Sequence, residues 1–197
     1  MSNIFIGDIH GCADEFKSLL RETKFSKGSD HLYLTGDAFT KGPDPLEVWK
    51  TIGNTGAQMV MGNHDEELLE RLQARGQGTR ESDLKASHVH TLDQLEPVAD
   101  SVLLWLEFLP LSIREIEFTL VHAGVNPDRG FDRTRRDEYL GIRTWPPTDG
   151  IEGPRWHDHY TPPDARPLVF GHDAPGGLVV NRDDPDHPPY LVGLDTG

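Results

Sequence analysis

With Cys12 as its only cysteine, the 197-residue chain cannot close an internal disulfide, and nothing in it calls for an oxidising compartment. Positive charge is also scarce. Nineteen Lys and Arg stand against thirty-three Asp and Glu, a net charge of −14, so general binding of the nucleic-acid backbone is disfavoured and not expected. No apolar run reaches the roughly 18 residues of a membrane span. The start, Met1-Ser2-Asn3-Ile4-Phe5-Ile6-Gly7, lacks the basic and apolar regions of a secretory signal. These absences predict a cytoplasmic protein with no membrane partner. The length suits one domain, residues 1–197, with a core of its own.

What is present is an alternation of short apolar runs with amphipathic ones. Ile4-Phe5-Ile6, His31 to Leu34, Met59-Val60-Met61 and Phe118 to Val121 read as buried strands, followed by Leu168 to Phe170, Leu178 to Val180 and Tyr190 to Val192. Phe16, Leu19 and Leu20 repeat at helical spacing, with Asp14 as the expected cap. Leu46, Val48 and Trp49 mark a second helix and Leu68, Leu69 and Leu72 a third; Leu92 to Leu106 suggests a longer fourth. Trp105, Leu106, Phe108 and Leu109 are core candidates. Gly76 to His90 is polar and aperiodic, the pattern of a loop over a site. Ten of the fifteen prolines fall between Pro146 and Pro189, which predicts a loop-rich tail holding hairpin-like strands. The fold class is α/β.

Chemistry enters at the strand ends. The first strand runs into Gly7-Asp8-Ile9-His10-Gly11, the second into Thr35-Gly36-Asp37, and the third into Gly62-Asn63-His64-Asp65. Leu120-Val121 leads into His122-Ala123-Gly124, and Val169-Phe170 into Gly171-His172-Asp173. One Gly-Asp at a strand end is ordinarily a turn, and one buried His is ordinarily a core residue. Five strands in succession, each delivering Asp, Asn or His at its carboxyl end, describe a ligand crevice instead. Asp8, His10, Asp37, Asn63, His122 and His172 offer oxygen and nitrogen donors without thiolate. That set suits Mn²⁺, Fe²⁺, Zn²⁺, Ni²⁺ or Co²⁺ better than a structural zinc.

These motifs, with Gly42-Pro43 and Leu194-Asp195-Thr196-Gly197, resemble the calcineurin-like metallophosphoesterases, and more narrowly the phosphoprotein-phosphatase superfamily. The resemblance implies a central β-sandwich flanked by helices, with the metal site at strand carboxyl ends. Protein Ser/Thr phosphatases read Gly-Asp-x-x-Asp-Arg-Gly where this chain has Asp37-Ala38-Phe39-Thr40-Lys41-Gly42. Thr40 at the second Asp position, Lys41 before Gly-Pro, Asp65 for Glu, and Gly171-His172-Asp173 are similar to the ApaH-like phosphatases, relatives of the symmetrical dinucleoside tetraphosphatase.

The resemblance implies two divalent ions, manganese first, with Fe, Zn, Ni, Co or Mg as alternatives. Asp8, His10 and Asp37 would hold one ion, and Asp37, Asn63, His122 and His172 the other. It makes His64 the general acid, without its usual carboxylate partner at Thr40, and Lys41 and Arg143 the contacts to phosphoryl oxygens. The expected activity is hydrolysis of phosphoanhydrides or phosphomonoesters. A phosphorylated small molecule of compact size, such as a dinucleoside polyphosphate, is favoured, because an acidic body repels a long polyanion. A phosphoprotein substrate, as for a protein Ser/Thr phosphatase, and a non-catalytic metal- or phosphate-binding module are the alternatives. His31, His88, His90, His157, His159 and His187 match no motif and read as surface or loop residues. Cys12 reads as a packing residue. The chain stops at Gly197 where relatives continue, so a shorter sheet edge or a trimmed chain is expected.

Overall fold

The apolar run at Ile4 to Ile6 forms most of β1 (Asn3–Ile6), and His31–Leu34 forms β2, paired with it in parallel from Asn3 opposite His31 to Ile6 opposite Leu34. The computed structural model describes residues 1–78, 84–147 and 151–196, and divides into two compact units, Met1–Leu109 and Pro110–Gly197. Among the described residues, no helix is long and apolar enough to cross a membrane.

The first unit continues through α1 (Ala13–Glu22), α2 (Pro45–Thr55), β3 (Gln58–Met59), α3 (Asn63–Gly76), α4 (Ala86–Leu95) and α5 (Ala99–Glu107). Its sheet has the order β1-β2-β3, parallel throughout. Phe16, Leu34, Val48, Met59, Leu68, Leu92 and Leu106 fill one core between sheet and helices. Burying each such side chain contributes about 1.5–3 kcal/mol.

Several expectations change here. Asp14 does not cap α1; Cys12 takes that position without a side-chain hydrogen bond, and Asp14 lies in the first turn. The strand expected over Met59 to Met61 pairs only at Gln58–Met59, since Val60 and Met61, though buried, already lead toward α3. The long helix from Leu92 is broken by a 3-10 turn at Glu96–Val98, because Pro97 brings no backbone N–H and crowds the preceding turn. Phe108 is exposed beyond the end of α5 rather than in the core. The aperiodic stretch Gly76 to His90 is shorter than its polarity suggests, for α3 reaches Gly76 and α4 begins at Ala86; positions 79–83 lie outside the described residues. His88 is buried on α4, not at the surface.

The second unit holds β4 (Ser112–Arg114), β5 (Thr119–Val121), α6 (Arg136–Gly141), β6 (Leu168–Phe170), β7 (Val179–Asn181) and β8 (Leu191–Gly193). Its sheet runs β4-β5-β6-β8-β7, with a parallel centre and an antiparallel strand at each edge. The β7–β8 pair is the hairpin-like tail the prolines predicted. Trp156 is fully buried against Phe170. His157, expected at the surface, packs beside both rings, and burial lowers its pKa. The architecture is thus α/β, with two sheets and flanking helices.

Candidate metal centre

In the first unit the functional side chains sit on the turns that leave β1, β2 and β3 at their carboxyl ends. Of the five described non-glycine residues with positive φ, four are expected site residues: His10 at 48°, Asp37 at 53°, Lys41 at 79° and, in the second unit, His172 at 67°. Left-handed backbone at such residues costs about 1–3 kcal/mol each and persists where the surroundings enforce it.

That enforcement is visible. The backbone N–H of His10 donates to Asp37 O at 2.8 Å, that of Gly11 to Ala38 O at 2.8 Å, and that of Gly42 to His10 O at 2.6 Å. These bonds stitch the β1 and β2 loops together beyond the ends of their strands. A third segment locks in through Asp65, which is fully buried on the first turn of α3. Its carboxylate accepts from the backbone N–H of Asp37 (2.6 Å), Ala38 (3.1 Å) and Gly62 (3.1 Å). Asp37 in turn accepts from the His64 backbone N–H at 2.9 Å. Gly62 is required by space: a Cβ there would lie 2.1 Å from Asp37 Oδ1.

The outcome is convergence. Donor atoms of His10, Asp37 and His64 all lie within 4.8 Å of one another, with Asp37 buried and the imidazoles half-buried. Asp8 is oriented by Thr35 Oγ1, which donates to its Oδ1 at 3.0 Å. Asn63 opens α3 directly beside His64. Lys41 Nζ is 2.9 Å from His10 Nε2, so this exposed ammonium stands at the mouth of the cluster. The His10 imidazole and the Asp37 carboxylate fit a divalent ion that accepts mixed nitrogen and oxygen ligands, with the His64 ring beside them. Cys12 stays at the edge: its Sγ is 3.8 Å from His10 O, and burial first, then the charge of Glu15, push its pKa up, which agrees with packing rather than nucleophilic use.

In the second unit, His122 and His172 leave the carboxyl ends of β5 and β6 and meet, His122 Nε2 and His172 Nδ1 being 3.1 Å apart, both rings buried. Two imidazole nitrogens in a buried pair have the chemistry of metal donors. Arg143 lies beside them, its Nη2 donating to His172 O at 3.2 Å and its Nε 3.8 Å from Asp173 Oδ1. Arg155 donates to the same Asp173 oxygen at 3.2 Å. Burial raises the Asp173 carboxyl pKa, against the lowering influence of Arg155 and Arg143.

Several residues here escaped the sequence. Asp65 was visible only as a variant letter in a motif, and its burial reveals the role. Arg155 follows no motif. A carboxylate stands at the His64 Nδ1 without an acid at position 40: Glu67, whose Oε2 is 3.5 Å from that nitrogen. An acidic residue three positions on, along a helix, carries a signal indistinguishable from a solvated face.

The calcineurin-like phosphoesterase family profile matches residues 1–189. The chain belongs to that family. This calcineurin-like phosphoesterase is similar to the symmetrical bis(5'-nucleosyl)-tetraphosphatase of Psychromonas ingrahamii, 40% identical over 131 residues that make up 64% of this chain and 45% of the relative. The enzyme of the same name from Actinobacillus succinogenes is 39% identical over 137 residues, 65% of this chain and 46% of the relative. The chain therefore spans about half the length of the curated relatives it matches. A solved structure described as a candidate diadenosine tetraphosphatase is 32% identical with a TM-score of 0.74, covering 98% of this chain and 82% of that one. A protein serine/threonine phosphatase from Saccharomyces cerevisiae shares the fold at 15% identity and a TM-score of 0.66, over 98% of this chain and 66% of that one.

Proposed function

We propose that this calcineurin-like phosphoesterase is a hydrolase of phosphoanhydride bonds in dinucleoside polyphosphates or similarly compact phosphorylated small molecules. The observation that carries the reading is the convergence of His10 and Asp37, on strained turns stitched to each other, with His64 on the first turn of α3. The tetraphosphatase names of the relatives supply the substrate class. We take residues 1–197 to act as one metallophosphoesterase domain, at work in the cytoplasm. Asp8, His10, Asp37, Asn63, His122 and His172 would hold two divalent ions, manganese first among them. When bound, such ions lower the pKa of water and polarise a phosphoryl oxygen.

The remaining work falls to the chain's own groups. Asp65 holds the Asp37 turn rigid, so the Asp37 carboxylate keeps its aim without reorganising. Lys41, exposed beside His10, can swing its ammonium onto a phosphoryl oxygen as a compact point charge. Arg143 offers a planar fork for a second phosphate. His64 gives a proton to the departing oxygen. A nucleotide phosphate leaves well with little help, which suits a phosphoanhydride substrate. The net charge of −14 favours a short substrate over a long polyanion.

The test is a substrate panel on purified protein, stripped of metal and reloaded with Mn²⁺. Hydrolysis of diadenosine tetraphosphate that is abolished by chelator, and faster than that of polyphosphate or a phosphopeptide, is expected. No turnover on any substrate would leave a binding module, and a faster phosphopeptide rate would make it a protein phosphatase.

A further inference from the structure

We infer that Glu67 is the positioning carboxylate of His64, in the role that an acid at position 40 would otherwise fill. The inference rests on the hydrolase reading, in which His64 is the proton donor. Thr40 cannot serve. It is buried, it carries no charge, and its Oγ1 has no hydrogen-bond partner among the described residues. Glu67 stands one helical turn beyond His64 on α3, so the register of the helix itself brings the two side chains together. Its Oε2 is 3.5 Å from His64 Nδ1.

A surface Glu on a helix is usually a solvated group, and an exposed helical ion pair contributes little. Glu67 differs in how it is held. Arg71, one turn further along α3, donates to Oε1 at 2.5 Å. His88, buried on α4, brings its Nε2 to 3.6 Å from the same Oε2 that faces His64. One oxygen is thus anchored by a guanidinium, and the other stands between two imidazoles from different helices. Burial on its own would raise the Glu67 pKa, but the Arg71 hydrogen bond and the charges of His88, Arg71 and His64 outweigh it and hold the group below the usual range. The carboxylate is therefore ionised.

An ionised carboxylate at Nδ1 holds the proton on that nitrogen and fixes the ring plane. When the ring carries both protons, the one on Nε2 faces the departing oxygen and is the one given up, leaving the Nδ1–H form behind. At 3.5 Å the contact is longer than a side-chain hydrogen bond, and a small rotation of the ring is enough to close it to one. Glu67 touches no substrate in this scheme. It acts through His64.

The experiment compares wild type with Glu67→Gln on phenyl phosphate and p-nitrophenyl phosphate, in the wild-type and His64→Asn backgrounds. Loss of an outer-shell partner of a functional His costs about 10–100-fold. We expect a fall of that size in kcat on phenyl phosphate, a smaller fall on the better leaving group, and an unchanged KM. In the His64→Asn background Glu67→Gln should cost nothing more. Imidazole nitrogen NMR of the zinc-loaded protein should show His64 leaving its Nδ1-protonated tautomer in Glu67→Gln. Wild-type kcat in Glu67→Gln, an equal loss in both backgrounds, or an unmoved tautomer would each overturn the role. Inactivity of wild type on both esters and on diadenosine tetraphosphate would instead overturn the hydrolase reading, and the tautomer measurement would still decide whether Glu67 orients His64.

Discussion

Asp65 is the residue on which most of the first unit's site geometry depends, although it lies among no expected ligands. Three buried backbone N–H groups end on its carboxylate, and each unsatisfied group costs about 1–3 kcal/mol. Asp65→Ala should therefore lose about 3 kcal/mol or more in denaturant unfolding, and Asp65→Asn, which keeps one acceptor oxygen, distinctly less. A loss below about 1 kcal/mol for the alanine variant would mean that water replaces the carboxylate. At this scale the sequence was most legible where the chain bends. His10, Asp37 and His172 stand out because each is a polar residue next to a glycine beyond a strand end, and the structure gives each of them left-handed backbone. Glu67 and His88 were illegible for the opposite reason. Each lies on a helix, where the facing partner is set by packing of α3 against α4, and a letter string does not carry that distance.

Elements were readable in proportion to their amphipathic length. α2 announces itself with Asp44 before Pro45, and Asp44 Oδ1 accepts from the Glu47 backbone N–H at 3.1 Å. Asp44→Ala should cost about 1 kcal/mol of stability, read as a lowered thermal midpoint; an unchanged midpoint would show that the proline alone starts the helix. The split between α4 and α5 was written in Pro97, which a purely periodic reading of Leu92 to Leu106 passes over. β4 was not legible. Ser112-Ile113-Arg114 offers one apolar residue, and its pairing with β5 is an edge contact made by backbone, from Ser112 opposite Val121 to Arg114 opposite Thr119. β3 was overestimated at its far end: the Val60 backbone N–H still donates to Leu34 O at 3.3 Å, and the pairing stops there as the chain leads toward α3.

For the whole molecule the governing quantity is the charge of −14. Field lines from an acidic body act over a screening length of about 30 Å at 0.01 M salt and about 8 Å at 0.15 M. A long polyphosphate projects most of its charge outside any ion site, so it feels that field along its length. A dinucleoside polyphosphate presents little beyond the site. Raising salt across this range should lift the ratio of kcat/KM for polyphosphate over diadenosine tetraphosphate several-fold. A flat or falling ratio in steady-state assays would show that substrate length is not selected by charge. Family membership extends through both compact units, since the match runs over residues 1–189. Composition alone excluded an internal disulfide, but it carried no hint of the division at Leu109.

The stitched turns have a consequence for anyone who would transplant this half-site into another scaffold. A Cβ on Gly42 would fall 2.1 Å from His10 O, so the two loops cross with no room for a side chain between them. Neither loop keeps its shape alone, and the Asp37 turn is also tied to the head of α3 through Asp65. The transferable module is therefore not a list of donor residues. It is three chain segments, 7–12, 35–44 and 62–67, that have to travel together on parallel strands of matching register.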